Sequence, residues 1–143
     1  MSTPIRVLVV DDHVMIRLGL TAMMAYETDI EIVGEACSGA EAIQLFDHLR
    51  PDVTIMDGML PDIHGIEATR TILTKHPGAR IVIVSINESA EDIHRAIETG
   101  AAGYVSKAQK QDVIIRAIRT VAAGTTFLEP ELARRLSARA STN

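Results

Sequence analysis

Cysteine is almost absent from this sequence, with Cys37 the single example. An intrachain disulfide and a cysteine-rich zinc site are therefore excluded, and the burial habits of free thiols predict a small buried side chain at position 37. Positive charge is also scarce. A net charge of -5 and a pI near 5.5 argue against a nucleic-acid or anionic-membrane surface on this segment, because phosphate binding is driven by clustered Lys and Arg. Long hydrophobic runs are missing too, and Met1 to Arg6 has no apolar stretch behind basic residues, so the expectation is a soluble, cytoplasmic protein. There is no Gly-rich phosphate loop and no dinucleotide fingerprint, which disfavours nucleotide enzymes. The histidines at 13, 48, 64, 76 and 94 lack metal-ligand spacing, predicting surface or capping roles and no zinc. Internal repeats and low-complexity segments are absent. With 143 residues and 47% hydrophobic content, the chain can bury one ordinary core.

What is present is a strict alternation of strand and helix signals. Val7 to Val10 is an apolar run ending in Asp11-Asp12, and a first helix follows from Val14 to Ala25, with Met15, Met23 and Met24 expected as core or helix-contact residues. Ile30 to Ala36 alternates in part and reads as an edge strand. Ser38 with Glu41 forms a capping box for a second helix that Pro51 stops, and Val53 to Met56 is a short buried strand that delivers Asp57 to its carboxyl end. Ile66, Thr69 and Leu73 mark a third helix before Pro77, and Ile81 to Val84 is a fourth strand with Ser85 at its end. Ser89 and Asp92 resemble a cap, and Gly100 closes that helix. Ala102 to Ser106 is a fifth strand leading to Lys107, and Ile114, Ala117, Ile118 and Val121 stripe a fifth helix up to Gly124.

Five strands alternating with five helices predict an α/β, flavodoxin-like, doubly wound parallel sheet in the order 2-1-3-4-5. That order sets the second and fifth strands at the edges and brings the ends of the first and third together. Asp11, Asp12 and Asp57 then project from one edge of the sheet. Three carboxylates so close stay ionised only if a cation offsets them, and an all-oxygen site open to water suits Mg²⁺, expected on Asp12 and Asp57 with Asp11 nearby or through water. Lys107 would add a second positive charge and Ser85 a hydroxyl donor, a set suited to phosphoryl transfer with Asp57 as the nucleophile.

Asp11-Asp12-His13, Met56-Asp57 followed by Leu60-Pro61, Ser85, and Gly100 to Tyr104 running to Lys107 resemble the receiver domain of bacterial two-component response regulators. The resemblance spans residues 5 to about 124, and Ala36 to Ala42, Gly65 to Ala68 and Ala122-Ala123-Gly124 are similar to the NarL/FixJ subfamily, whose members join the receiver to a LuxR-type helix-turn-helix. It implies a CheY-like fold, a histidine kinase as phosphodonor, switching by Ser85 and Tyr104, a homodimer on phosphorylation, and the Met59 backbone carbonyl beside Asp11, Asp12 and Asp57 as metal ligands. Residues 1–124 are then the receiver, and 125–143, with Glu129-Pro130-Glu131 as a helix start followed by Arg134, Arg135 and Arg139, begin a linker to an output domain that would supply any DNA contact.

The chain also departs from the family. Ile86 stands where a small residue is common and is expected to crowd the phosphoryl pocket. Ala108 replaces the proline that often follows the lysine, so a trans bond is expected there, a cis bond before a non-proline costing roughly 2.5 to 4 kcal/mol. Gly58, directly after Asp57, is either a functional hinge or a neutral turn residue. Met59 and Ile86 are expected to exclude water from a phosphorylated Asp57, and Asn87 to oppose them by orienting one. The leading expectation is a phosphorylation-controlled switch that is no enzyme in the ordinary sense. A stand-alone receiver acting in a phosphorelay or by protein contact is the alternative. A phosphatase of the haloacid dehalogenase type is disfavoured, because Met59 occupies the place of its second aspartate.

Overall fold

Valine and isoleucine at 7–10, 53–56 and 81–84 favour extended backbone because a branched β-carbon restricts the side chain to rotamers that suit a pleated sheet. In the computed structural model, which describes residues 3–86, 89–107 and 111–142, these runs form the buried middle of a parallel sheet. In chain order the elements are β1 (Ile5–Val10), α1 (Val14–Met24), β2 (Ile30–Ala36), α2 (Gly39–Leu49), β3 (Val53–Asp57), α3 (Gly65–Lys75), β4 (Ile81–Ser85), α4 (Ala90–Thr99), β5 (Gly103–Ser106), α5 (Gln111–Ala122), β6 (Phe127–Leu128) and α6 (Pro130–Thr142). The sheet order is β2-β1-β3-β4-β5-β6, with every neighbouring pair parallel.

Strand side chains alternate between two cores. Val7, Val9, Val53, Ile55, Val82, Val84 and Val105 meet Leu20 and Met24 of α1 and Ile114 and Ile118 of α5 on one face. Leu8, Val10, Met56, Ile81, Ile83 and Tyr104 meet α2, α3, α4 and Leu132 of α6 on the other. Capping follows the sequence signals, with Ser38 Oγ accepting from the Glu41 N–H at 3.1 Å and Ser89 Oγ from Asp92 at 3.1 Å. The Glu41 carboxylate reaches past the cap to the Cys37 N–H, 2.9 Å away. Pro51 disfavours helical backbone at Arg50, which takes φ 47° and ends α2.

Four expectations need correction. The described residues hold six strands and six helices instead of five of each, and β5 is not an edge, because Gly103 and Tyr104 pair with Phe127 and Leu128 of β6. Helix α6 begins at Pro130, as its start signal predicted, and Leu132 is fully buried against the α4 side of the core. Cys37 is exposed, lying between the end of β2 and the cap of α2 where nothing covers it. Met15 is 79% exposed whereas Met24, nine positions on along the same helix, is buried, so only part of the methionine set belongs to the core. No helix among the described residues is long and apolar enough to cross a membrane.

Candidate functional site

The sheet places Asp11 just beyond β1 and Asp57 at the last position of β3, neighbouring strands whose ends meet where the chain order reverses. Ligand atoms of Asp11, Asp12, His13 and Asp57 all lie within 4.8 Å of one another. Asp11 and Asp57 are buried and Asp12 is exposed, so the cluster opens to solvent on one side. From the end of β5, Lys107 Nζ reaches Asp57 Oδ1 at 3.1 Å and Asp11 Oδ2 at 3.4 Å, while its backbone N–H is bound to the Ser85 carbonyl. Burial pushes the Asp57 carboxyl above its ordinary pKa and the Asp11 charge adds to this, against hydrogen bonds from the Met59 N–H and Lys107.

Asp57 Oδ2 is buried with no hydrogen-bond partner among the described residues. A buried carboxylate oxygen left bare is costly unless something supplied from outside completes it. In this cluster three carboxylates face one ammonium, and the donors are mostly hard oxygens open to water, so the residues present fit a divalent cation of the Mg²⁺ kind.

Glycine is required at two places around Asp57. A Cβ on Gly65 would collide with the Asp57 carbonyl, and one on Gly58 would come 2.8 Å from Ser85 Oγ. Gly58 is thus more than a neutral turn residue. It lets β3 and β4 approach where Ser85 sits. Met59 donates its N–H to Asp57 Oδ1 at 3.1 Å and is 46% exposed, at the rim of a small cavity that Gly58, Ser85 and Tyr104 also line. Tyr104 is buried. Ile86 is 69% exposed, a poor position from which to fill the pocket. Asn87 and the peptide bond from Lys107 to Ala108 lie outside the described residues, as does the side chain of Arg139.

Three contributors were not read from the sequence in this role. His13, exposed at the N-cap of α1 as its surface or capping reading expected, also places Nδ1 3.1 Å from Asp11 Oδ1 and 3.2 Å from Asp12 Oδ1, beside the acid cluster. Its position directly after two aspartates was the available signal. Arg17, one turn into α1, donates to the Asp11 carbonyl and pairs with Glu35. Asp62 accepts from the Gly39 and Ala40 N–H groups at 2.8 and 2.9 Å, which holds its carboxyl below the usual pKa and ties the loop after Asp57 to the start of α2. No short-range pattern could have shown that bond, since it spans 23 residues.

A doubly wound parallel sheet with an acid cluster and a lysine at its switch point is the architecture of the receivers of two-component signalling. The family model for the response regulator receiver domain matches residues 7–119, and the chain belongs to that family. It is similar to response regulator GacA of Pseudomonas viridiflava, 41% identical over 133 residues, covering 93% of this chain and 62% of the relative. Response regulator protein VraR of Staphylococcus aureus is 35% identical over 128 residues, covering 90% and 61%. The crystal structure of a LuxR-family two-component response regulator from Aurantimonas sp. SI85-9A1 superposes with a TM-score of 0.92 at 33% identity, over 98% of this chain and 99% of that one. The likeness lies with regulators of the NarL/FixJ kind, and the chain spans about three-fifths of the length of the curated relatives it matches. Receivers of this family are phosphoacceptors and not enzymes in the ordinary sense, so the phosphatase reading falls.

Proposed function

We propose that Asp57 is the phosphoacceptor of this receiver, loaded from the phosphohistidine of a sensor kinase. The observation that carries this is the buried Asp57 Oδ2, which has no hydrogen-bond partner among the described residues, while Oδ1 is already held by Lys107 and the Met59 N–H within the acid cluster. One carboxylate oxygen is fixed and the other is free to attack phosphorus. As the oxygen–phosphorus bond forms, the phosphorus–nitrogen bond breaks, and the departing imidazole keeps the electron pair. Asp11, Asp12, Asp57 and the Met59 carbonyl would hold Mg²⁺, which when bound offsets charge on the phosphoryl oxygens. Lys107 supplies the second cation and Ser85 a hydroxyl for the same oxygens. Ser85 and Tyr104 line one small cavity between the site and α4, which supports their reading as the switch pair.

We further assign residues 1–124 to the receiver and 125–143 to the start of a linker toward a LuxR-type helix-turn-helix, in a cytoplasmic regulator that dimerises on phosphorylation. The LuxR-family description of the Aurantimonas regulator supports this output over a stand-alone receiver. Residues 1–143 alone should not retain DNA selectively, because their acidic balance lacks a phosphate-contacting surface.

The test of the acceptor is the intact mass after incubation with Mg²⁺ and acetyl phosphate. One added phosphoryl group is expected, absent without Mg²⁺ and absent in Asp57→Asn. An unchanged wild-type mass would overturn the reading.

A further inference from the structure

Glu129 is a carboxylate that the phosphoacceptor chemistry does not use, yet it is 4% exposed. Glutamate is seldom buried this far without a specific partner, because desolvating its charge is costly. The partner here is the Ser106 N–H, which Glu129 Oε1 accepts at 2.8 Å in a buried setting. A carboxylate bound to a backbone N–H is a charge-assisted bond, stronger and more directional than a neutral one. Ser106 is the last residue of β5, and Lys107, the residue after it, places its ammonium 3.1 Å from Asp57 and 3.4 Å from Asp11.

Glu129 is itself fixed from both sides. Phe127 and Leu128 before it pair with Gly103 and Tyr104 in the sheet. Its carbonyl accepts the Ala133 N–H in the first turn of α6, and Leu132 is buried in the same core as Tyr104, Ile93 and Ala96. The end of β5 is therefore held on one side by β4, through the Ser85 carbonyl and the Lys107 N–H, and on the other by the Glu129 carboxylate. Lysine has a long, flexible stem, so the aim of its ammonium depends on where the backbone that carries it is anchored.

We propose that Glu129 is a positioning residue for Lys107: by binding the Ser106 N–H from the start of α6, it fixes the end of β5 and with it the lysine that meets the phosphoryl group. The inference rests on the reading of Asp57 as phosphoacceptor, and it makes a residue beyond the expected receiver boundary part of the site.

The test follows phosphorylation of the whole 143-residue chain by acetyl phosphate at saturating Mg²⁺. Glu129→Met keeps the volume and deletes the acceptor, Glu129→Asp keeps the charge and shortens the reach, and Glu129→Gln keeps an acceptor oxygen at the same length. The first two should be phosphorylated about fivefold to tenfold more slowly, whereas Glu129→Gln should recover to within about twofold of wild type. The Mg²⁺ concentration giving half the maximal rate should not move, since the expected metal ligands do not include Lys107. In a Lys107→Ala background, Glu129→Met should have no further effect, as expected if it acts through the lysine. A wild-type rate in whichever of the Met and Asp variants folds would overturn the proposal. So would an undiminished effect of Glu129→Met without Lys107, or loss of Mg²⁺ response in proportion to rate. If wild type itself takes up no phosphoryl group, the acceptor reading fails. If wild type is modified and the Glu129 variants match it, only this inference fails.

Discussion

The two ends of the sheet carry charge in opposite ways. At the amino ends of the strands, the acids Glu27, Asp29 and Asp47 each have a basic side chain beside them. Arg119 forks onto both oxygens of Asp29 at 2.8 and 2.9 Å and reaches Glu27 at 3.0 Å, holding Asp29 below its ordinary pKa. Asp47 is bound by His76 at 2.7 Å with Lys75 nearby, and is lowered for the same reason. At the carboxyl ends Asp11, Asp12 and Asp57 crowd together around one lysine, and burial raises Asp57 instead. A chain able to neutralise acids at one pole has left them in excess at the other. On the proposed reading, that surplus marks the end where an outside cation and a phosphoryl group would enter.

The largest effect that could sharpen this contrast is loss of the lysine. Lys107→Ala should slow phosphorylation by acetyl phosphate by about a hundredfold, the scale seen when one fixed donor to a transition state is deleted. Its fold should persist, as checked by circular dichroism. Arg119→Ala, at the other pole, should leave the same rate unchanged, and a rate loss there would break the comparison.

Next in size is the lifetime of the phosphorylated form. Met59 is at the rim of the cavity by Ser85 with only a thioether to offer, so Met59→Asn should speed loss of the phosphoryl group by about tenfold if a new water contact lowers the barrier by about 1.4 kcal/mol. Decay is followed after donor removal. Equal or slower decay would show that water reaches the phosphorus by a path Met59 does not control.

Stability should report the stored charge directly. Because burial raises the folded-state pKa of Asp57, its contribution favours folding below the ordinary carboxylate pKa and is lost as pH rises through the raised value. Ionised Asp57 therefore costs stability at neutral pH. Asp57→Asn should melt higher than wild type at pH 7, and the gap should close as pH falls into the carboxylate range or as Mg²⁺ binds wild type. A variant that melts lower at pH 7 would contradict the raised pKa.

The smallest effect belongs to the matched pole. Arg119→Ala should cost no more than about 1 kcal/mol in denaturant unfolding, since its ion pairs are solvated and salt-screened. High salt should reduce that cost further.

Much of this arrangement was legible in the sequence because it is written locally. Short Val/Ile runs, serines three residues ahead of an acid, and prolines after helices located β1 to β4 and their helices within a residue or two. Asp11, Asp12 and Asp57 could be placed together once the strand order was inferred. What stayed hidden depends on partners far along the chain. The strand at Phe127–Leu128 is two residues long, too short for any alternation to show, and exists because β5 offers it a ladder. Glu129 was read only as part of a helix start, since the amide it binds is 23 residues away. Cys37 and Met15 followed the habits of their residue types and were misplaced, as burial is set by what lies over a position. Asp62 drew no reading, because its partners are the N–H groups of Gly39 and Ala40 at the start of α2.

The central claim is that the Asp57 carboxylate at the end of β3, through its unpartnered Oδ2, is where the phosphoryl group arrives. Phosphorylated protein can be reduced with borohydride, which converts an aspartyl phosphate into homoserine, and then digested and sequenced by mass spectrometry. The account predicts homoserine at position 57 alone. Homoserine at position 11 or 12, or phosphoryl uptake that leaves no reducible acyl phosphate, would contradict it.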